Sequence, residues 1–279
     1  RLVAADLLRN IGSLEKALVL LQGGLRIAPE SAGFLTSIGV VLDGLERPLD
    51  ALPYLRRAAA RAPSSVPVKR NLIPTLLRVA EPREALAICE DLLEQAPDDQ
   101  QLIAYRATAL RMLGDAQYAA LHDYDRLVRV YRPAPPGRFS SIADFNRAFG
   151  REALRLHTPD HRPLDQSLRG GTQTDRNLPR DNPVFASFFE MIDAPIGDYI
   201  SHLSESSPHP TDRRKGDAYR IAGSWSVRLE PGGFHLNHVH PKGWLSSAYY
   251  IEIPDTIGTR EGDRSGWLKF GEPGATTPA

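Results

Sequence analysis

The sequence predicts a chain of two domains, an all-α solenoid of paired helices followed by a β-rich domain with flanking helices. Three observations support this fold class. Residues in the first half recur at a spacing of 34, a proline-rich stretch interrupts the helical pattern, and the second half contains β-type segments with a histidine cluster. We place the two domains at residues 1–133 and 134–279.

Small and apolar residues carry the repeat of the first half. A spacing of 34 relates Ala17, Ala51, Ala85 and Ala119, then Pro29, Pro63 and Pro97, and also Leu8, Leu42, Leu76 and Leu110. This period is typical of tetratricopeptide repeats, in which each unit is a pair of helices. The sequence therefore predicts four stacked units, the first incomplete and the last irregular, in a short right-handed solenoid.

One repeat shows how the helices are delimited. We expect one helix from Ala32 to Leu45 and a second from Pro48 to Ala62, because proline is favoured at a helix start and Pro63 cannot continue the second helix. Small residues mark where paired helices cross closely: Ala5, Gly39 and Ala107, with Ile73 as the exception. Such solenoids bind extended peptides or partner helices, so we expect a protein or peptide partner in their groove. The alternative is a purely structural role in dimerisation or packing.

A linker and two helices open the second half. Arg132 to Gly137 contains three prolines and is expected to be a stiff spacer. Ser141 followed by Asp144 resembles a helix start, and Asn182-Pro183 caps a second helix that we expect to kink at Pro195. The polar stretch between these helices, from His157 to Pro183, is predicted to be a long ordered loop.

The segment from Gly232 to Pro254 contains three histidines within six positions. His238 and His240 are one residue apart, so in a strand both imidazoles would project from the same face and could share one metal ion. His235 would point the other way and is the poorer ligand candidate. A structural or solvent-exposed histidine pair is the alternative. We predict a metal site near the turn of a hairpin.

Three further segments have β-type sequence. We expect strands within Tyr219 to Leu229, Leu245 to Ile253 and Trp267 to Phe270. A closed jelly roll uses eight strands, more than the roughly four that the sequence indicates. Because the chain also begins at Arg1 rather than at a methionine, we expect an excerpt of a longer protein.

Composition excludes several classes of function. The 34 basic and 34 acidic residues balance, which argues against a nucleic-acid partner or an anionic membrane surface. No apolar run is long enough to cross a bilayer, and the single cysteine, Cys89, cannot form an internal disulfide. We therefore expect a cytoplasmic protein in which Cys89 is a small buried residue.

Two blocks of residues resemble a known family. One is His238-x-His240 followed by Pro241, Trp244-Leu245-Ser246 and Tyr249-Tyr250-Ile251, and the other runs from Pro163 to Thr174. Together they are similar to the 2-oxoglutarate- and iron(II)-dependent oxygenases, in the bacterial and phage branch that often carries helical repeats. The resemblance covers roughly Phe139 to the end of the chain.

The resemblance implies a double-stranded β-helix, a jelly-roll or cupin-like fold, with Fe(II) and 2-oxoglutarate as cofactor and co-substrate. It assigns His238 and His240 as the first two metal ligands of a facial set whose third member is a distal histidine. Most relatives have a carboxylate at the second position, so His240 leaves the site one charge unit more positive. Tyr250 matches a residue that binds the co-substrate carboxylate; the alternative is an amphipathic core tyrosine. The distal histidine and a basic residue for the far carboxylate are expected beyond Ala279.

The leading interpretation is therefore a dioxygenase that hydroxylates a protein or peptide recruited by the repeats. One alternative is a repeat scaffold whose oxygenase-like domain is catalytically silent. Another is a cupin-like site that uses a different divalent metal for non-oxidative chemistry. The substrate, the hydroxylated atom and the oligomeric state stay open.

Overall fold

The computed structural model describes residues 1–158, 167–174, 177–259, 262–274 and 276–278. These residues form two compact units. The first comprises Arg1–His122, Asn237–Pro241 and Glu272–Ala279, and the second comprises Asp123–Leu236 and Lys242–Gly271. Our domain boundary at residues 133 and 134 remains a prediction.

The first unit is a stack of antiparallel helix pairs. Its helices are α1 (Leu2–Asn10), α2 (Leu14–Leu25), α3 (Ala32–Gly44), α4 (Pro48–Arg61), α5 (Val66–Arg78), α6 (Pro82–Gln95), α7 (Gln100–Leu113) and α8 (Gln117–Leu121). The predicted helices of the second repeat, α3 and α4, each end within one residue of their expected bounds. The prediction of a tetratricopeptide-like helical repeat is confirmed.

Residues in the 34-residue register form the core of this unit. Ala17, Ala51, Ala85, Leu76 and Leu110 are fully buried, and Leu42 is buried with 3% of its surface exposed. Ala119 keeps the register but is exposed, because α8 is only five residues long. Cys89 is buried in α6, and burial raises the pKa of its thiol to about 12, which keeps it protonated at neutral pH.

The turn within each helix pair has a left-handed residue at the same register position. Gly12, Glu46, Ala80 and Gly114 have φ of 77°, 60°, 60° and 65°. In each turn the next N–H donates back across the helix end, for example from Glu81 to the carbonyl of Leu76 at 2.9 Å. These bonds satisfy carbonyls that would otherwise lack a partner at the helix end. Sequence analysis missed this position, since only two of the four residues are glycine.

The second unit joins three helices to a two-stranded antiparallel sheet. Its elements are α9 (Tyr124–Leu127), α10 (Ile142–Leu156), β1 (Leu168–Gln173), α11 (Pro183–Ser201) and β2 (Val227–His235), with a 3₁₀ turn at Asp212–Arg214. Both predicted helix starts are confirmed: the Ser141 hydroxyl accepts from the Asp144 N–H at 3.1 Å, and the Asn182 side chain accepts from the Val184 N–H at 2.9 Å. The helix α11 continues through Pro195 to Ser201.

Aromatic residues from α10 and α11 form the core of the second unit. Phe149 packs edge-to-face against Phe185 and Phe188, with ring centroids 5.1 and 5.2 Å apart. Tyr249 and Ile251 pack against the same cluster. Within the described parts of the chain, no helix combines the length and apolar character needed to cross a membrane.

The long loop expected from His157 to Pro183 was wrong over residues 168–173, which form β1. The pair Gly170-Gly171 explains the difference, because both residues have positive φ and lie against the backbone of β2. A Cβ on Gly171 would lie 2.2 Å from the carbonyl oxygen of Arg228. The glycines thus permit close pairing of strands, where the sequence suggested a loop. Residues 159–166 and 175–176 of the expected loop lie outside the described residues.

The other predicted strands were partly wrong. Pairing begins only at Val227, well inside Tyr219 to Leu229, and continues past it to His235. Leu245 to Ile253 and Trp267 to Phe270 form no strand among the described residues. In the first of these segments the β-type residues Tyr249 and Ile251 serve to pack against helices. Because the described residues contain two strands, the double-stranded β-helix stays a prediction.

Candidate functional site

The histidines His238 and His240 lie in an irregular segment just after β2, not in the strand that the sequence predicted. Their side chains nevertheless converge. The two Nε2 atoms are 3.0 Å apart, and the ring centroids are 4.9 Å apart at an interplanar angle of 44°. His235, at the end of β2, instead has its Nδ1 atom 2.9 Å from the Ser167 hydroxyl. The structure therefore brings together the two predicted ligands and gives His235 a different contact.

The separation of the two nitrogens fits adjacent positions in the coordination sphere of one metal ion. With metal–nitrogen distances of about 2.0–2.1 Å, two ligands at a right angle have nitrogens about 2.9 Å apart. The same separation suits an N–H···N hydrogen bond in which one imidazole donates and the other accepts. Both arrangements need an Nε2 lone pair directed between the rings. The assignment of His238 and His240 as ligands stays a prediction.

The environment of His240 favours the neutral imidazole. Burial lowers the pKa of His240, and the neighbouring His238 lowers it further. His238 is exposed, whereas His240 is partly buried. Because a histidine binds metal through the lone pair of its neutral form, this environment prepares His240 for ligation near neutral pH.

A side-chain contact anchors the segment just before the histidine pair. Asn237 donates from Nδ2 to the carbonyl oxygen of Pro273 at 3.2 Å. The carbonyl of Asn237 also lies close to Gly274, where an added Cβ would be 3.3 Å from it. The segment that carries the pair is thus held against residues near the end of the chain.

The described residues bring together two imidazoles, whereas a facial iron site needs three side-chain ligands. Within them, no group of three or more His, Cys, Asp and Glu side chains is close enough to hold a metal ion. The two imidazoles fit adjacent positions of such a site, and they leave the remaining ligand unassigned.

The tyrosine Tyr250 belongs to the second unit, while His238 and His240 belong to the first. The residue is 46% exposed, and its hydroxyl donates to the carbonyl oxygen of Gly266 at 3.2 Å. Burial raises the pKa of Tyr250, which keeps the phenol protonated and able to donate. Since a phenol has one proton to donate, binding a co-substrate carboxylate requires the hydroxyl to leave Gly266.

An amide on α10 holds the residues on both sides of Tyr250. The Asn146 side chain accepts from the Tyr249 hydroxyl at 2.6 Å and donates to the Ile251 carbonyl oxygen at 3.0 Å. Sequence analysis did not identify Asn146, because its partners are more than a hundred positions away and no local pattern marks it.

A second polar cluster connects α10 to the sheet. His157 has its Nδ1 atom 2.8 Å from the Thr172 hydroxyl and its Nε2 atom 3.1 Å from the Ser226 hydroxyl. Burial, and then the charge of Arg228, lower the pKa of His157. Sequence analysis missed this histidine, which lies outside the segment where the other histidines cluster.

The structure describes only part of the second block that resembled the oxygenases. Its residues from Ser167 to Thr174 form β1 and its flanks. Its first part, from Pro163 to Gln166, lies outside the described residues. Thr174 is buried and pairs with Ser226, accepting from the Ser226 N–H through its hydroxyl at 3.0 Å.

A family model described as "Putative 2OG-Fe(II) oxygenase" matches residues 223–279. The C-terminal segment is oxygenase-like. The match contains His238, His240 and Tyr250, and it confirms the resemblance that the sequence suggested for this part of the chain. No curated protein sequence matches the chain.

Solved structures similar to this chain include two forms of MamA and the protein YrrB. A MamA mutant shares 20% identity with a TM-score of 0.40 and covers 44% of this chain and 71% of its own. MamA from Desulfovibrio magneticus RS-1 shares 15% identity with a TM-score of 0.38, covering 70% of this chain and 92% of its own. YrrB, described as a TPR protein with an unusual peptide-binding site, shares 20% identity with a TM-score of 0.30, covering 41% of this chain and 77% of its own.

Proposed function

We propose that the chain is part of a 2-oxoglutarate- and Fe(II)-dependent dioxygenase in which His238 and His240 bind the same metal ion. One observation carries this proposal. The two Nε2 atoms approach to 3.0 Å within the segment that matches the oxygenase family model. Fe(II) with bound 2-oxoglutarate would supply the chemistry, in which dioxygen is the oxidant: one of its oxygen atoms enters succinate as the oxo-acid loses CO2, and the other hydroxylates a C–H bond.

The protein's own residues have distinct roles in this proposal. His240 contributes a ligand that its partly buried environment keeps neutral, and His238 contributes a ligand from the exposed side of the pair. Tyr250 donates its hydroxyl proton to a carboxylate of 2-oxoglutarate after releasing the carbonyl of Gly266. The proposal assigns no third metal ligand, because the described residues contain no third His, Cys, Asp or Glu grouped with the pair.

The substrate in this proposal is a protein or peptide that the repeats recruit. The support is the first unit itself, in which α1 to α8 form a stack of helix pairs. Such stacks present extended surfaces that suit an extended chain or a helix of a partner. The hydroxylated residue is left open.

The test is the formation of succinate by purified protein incubated with Fe(II), ascorbate and 2-oxoglutarate. We expect turnover of 2-oxoglutarate that is lost in His238→Ala and in His240→Ala. His235→Ala is the matched control, because the Nδ1 atom of His235 lies 2.9 Å from the Ser167 hydroxyl, and this variant should keep most of the activity. Absence of succinate from the unmodified protein, with no bound metal, would refute the proposal.

A second candidate function is a repeat scaffold with a catalytically silent oxygenase-like segment. It is favoured by the absence of a third ligand among the described residues and by His240 standing where most relatives have a carboxylate. This candidate predicts that purified protein contains no metal and that His238→Ala does not change its binding to a peptide partner. Turnover of 2-oxoglutarate would exclude it.

Metal binding by His238 and His240 without turnover of 2-oxoglutarate would instead favour a cupin-like site for another divalent metal.

A further inference from the structure

We propose that Asn146 of α10 is a positioning residue that holds the backbone around Tyr250 in place for co-substrate binding. The inference rests on the proposed function for the co-substrate role of Tyr250, whereas the contacts of Asn146 are independent of that role. Asn146 lies outside the segment that matches the family model, residues 223–279.

The geometry of the contacts points to this role. The Asn146 amide accepts from the Tyr249 hydroxyl at 2.6 Å and donates to the Ile251 carbonyl at 3.0 Å. It therefore binds the residue before Tyr250 and the residue after it. One bond before Tyr250 and one after it hold this stretch of chain against α10, which limits where the Tyr250 side chain can be placed.

The amide is itself attached to a rigid support. Asn146 is on α10 next to Phe145, whose side chain is fully buried, and in the same turn as Phe149. The Tyr249 ring packs against Phe188, with centroids 5.5 Å apart. Tyr249 is thus held inward by both its ring and its hydroxyl. Tyr250, with 46% of its surface exposed, is left as the residue that can meet a ligand.

The chemistry of the side chain makes the role specific to asparagine. One amide provides a donor and an acceptor a fixed distance apart. An aspartate at the same place could still accept from Tyr249, but as a carboxylate it could not donate to Ile251. A leucine of similar volume could do neither. Asn146→Asp and Asn146→Leu therefore remove one and both of the bonds.

The experiment uses protein labelled with 3-fluorotyrosine, in which Tyr250→Phe assigns the ¹⁹F resonance of Tyr250. The affinity for 2-oxoglutarate is measured on the same proteins loaded with Mn(II). Met191→Ala is the matched control, because Met191 is buried in the same cluster and its loss removes neither hydrogen bond of Asn146. The unmodified protein is also assayed for succinate formation.

We expect the Tyr250 resonance to shift in both Asn146 variants and to stay in place in Met191→Ala. We also expect 2-oxoglutarate to bind about tenfold more weakly to Asn146→Leu, the loss typical of a hydrogen bond to a charged group. The KM for 2-oxoglutarate should rise more than kcat falls. If Asn146→Leu does not fold, the Tyr250 resonance and the affinity for 2-oxoglutarate are measured on Asn146→Asp alone.

Two results would overturn the inference. One is an unchanged Tyr250 resonance in the Asn146 variants, and the other is an equal shift in Met191→Ala, which would make the effect a general loosening of the core. A shifted resonance in a protein whose unmodified form neither binds 2-oxoglutarate nor forms succinate is distinguishable from both. It would overturn the proposed function and the co-substrate role of Tyr250, while the effect of Asn146 on Tyr250 would stand.

Discussion

The histidine His157 joins three segments of the second unit through its two ring nitrogens. It follows the last residue of α10, and it contacts Thr172 in β1 and Ser226 just before β2. A neutral imidazole offers one donor and one acceptor, which suits two hydroxyl groups that can each donate or accept. Protonation would turn both nitrogens into donors beside the positive charge of Arg228.

This environment makes the stability of the second unit depend on pH. The pKa of His157 is lowered from its ordinary value of 6.5 by burial and by Arg228, so the folded state favours the neutral ring. The contribution of His157 to the free energy of unfolding is complete above pH 6.5. It is lost as the pH falls below 6.5 toward the lowered pKa. We expect His157→Ala to cost about 1–3 kcal/mol at pH 7.5 and less at pH 5.5.

Urea unfolding of the unmodified protein and of His157→Ala at the two pH values measures this difference. Subtracting the variant at each pH cancels the contributions of the other histidines. A cost that does not change between pH 7.5 and pH 5.5 would show that the protonation of His157 is not linked to folding.

At the scale of single residues, sequence reasoning identified functional candidates that lie close together in the sequence. The rings of His238 and His240 converge, as their spacing suggested, although that prediction assumed a strand and the segment is irregular. Asn146 and His157 could not be identified in this way, because their partners lie 15 to 105 positions away along the chain. Only the folded chain brings these groups into contact.

The helical turns of the repeats offer a test at the scale of elements. Ala80 has φ of 60° and stands where the first and last turns have Gly12 and Gly114. A left-handed conformation costs a non-glycine residue about 1 kcal/mol. Ala80→Gly should therefore increase the free energy of unfolding by about 0.5–1 kcal/mol, since relief of strain exceeds the added flexibility of the unfolded chain.

Ala62→Gly is the control for this gain. Ala62 follows α4 with φ of −137°, which any residue adopts, so glycine brings no relief there. Chemical unfolding of both variants measures the change in the free energy of unfolding that each substitution causes. Equal effects of the two substitutions would argue against strain at Ala80.

A second element-scale prediction concerns the crossing of α3 and α4. A Cβ on Gly39 would lie 2.4 Å from the Leu55 Cγ atom, so Gly39→Ala forces the helices apart. We expect a loss of about 1–3 kcal/mol in the free energy of unfolding. Gly44→Ala, whose nearest contact would be Leu14 at 3.4 Å, should be neutral or slightly stabilising. Thermal unfolding that ranks the two variants in the opposite order would contradict the packing of the pair.

The elements that sequence predicted well are those set by local periodicity. The repeats place Gly39 and the register leucines at positions that the 34-residue spacing identifies directly. The strands were less predictable, because β-type composition also occurs where an irregular segment packs against helices, as at Tyr249 and Ile251. The pair Gly170-Gly171 suggested a loop, whereas glycine is needed there for close strand pairing.

At the scale of the whole molecule, the chain combines a tetratricopeptide-like stack with an oxygenase-like C-terminal segment. The functional account depends on His238 and His240 acting as one site. If they share an ion, removing either imidazole should weaken metal binding at least about tenfold, and removing both should add little. Contributions of residues that act as a unit are strongly non-additive.

The most direct measurement is calorimetric titration of the purified protein with Co(II), comparing His238→Ala, His240→Ala, the double variant and His235→Ala. We predict one strong site, an affinity at least about tenfold weaker in each single variant, a double variant little worse than either, and an unchanged His235→Ala. Binding that survives both single substitutions, or that depends on only one of the two histidines, would contradict a shared metal ion.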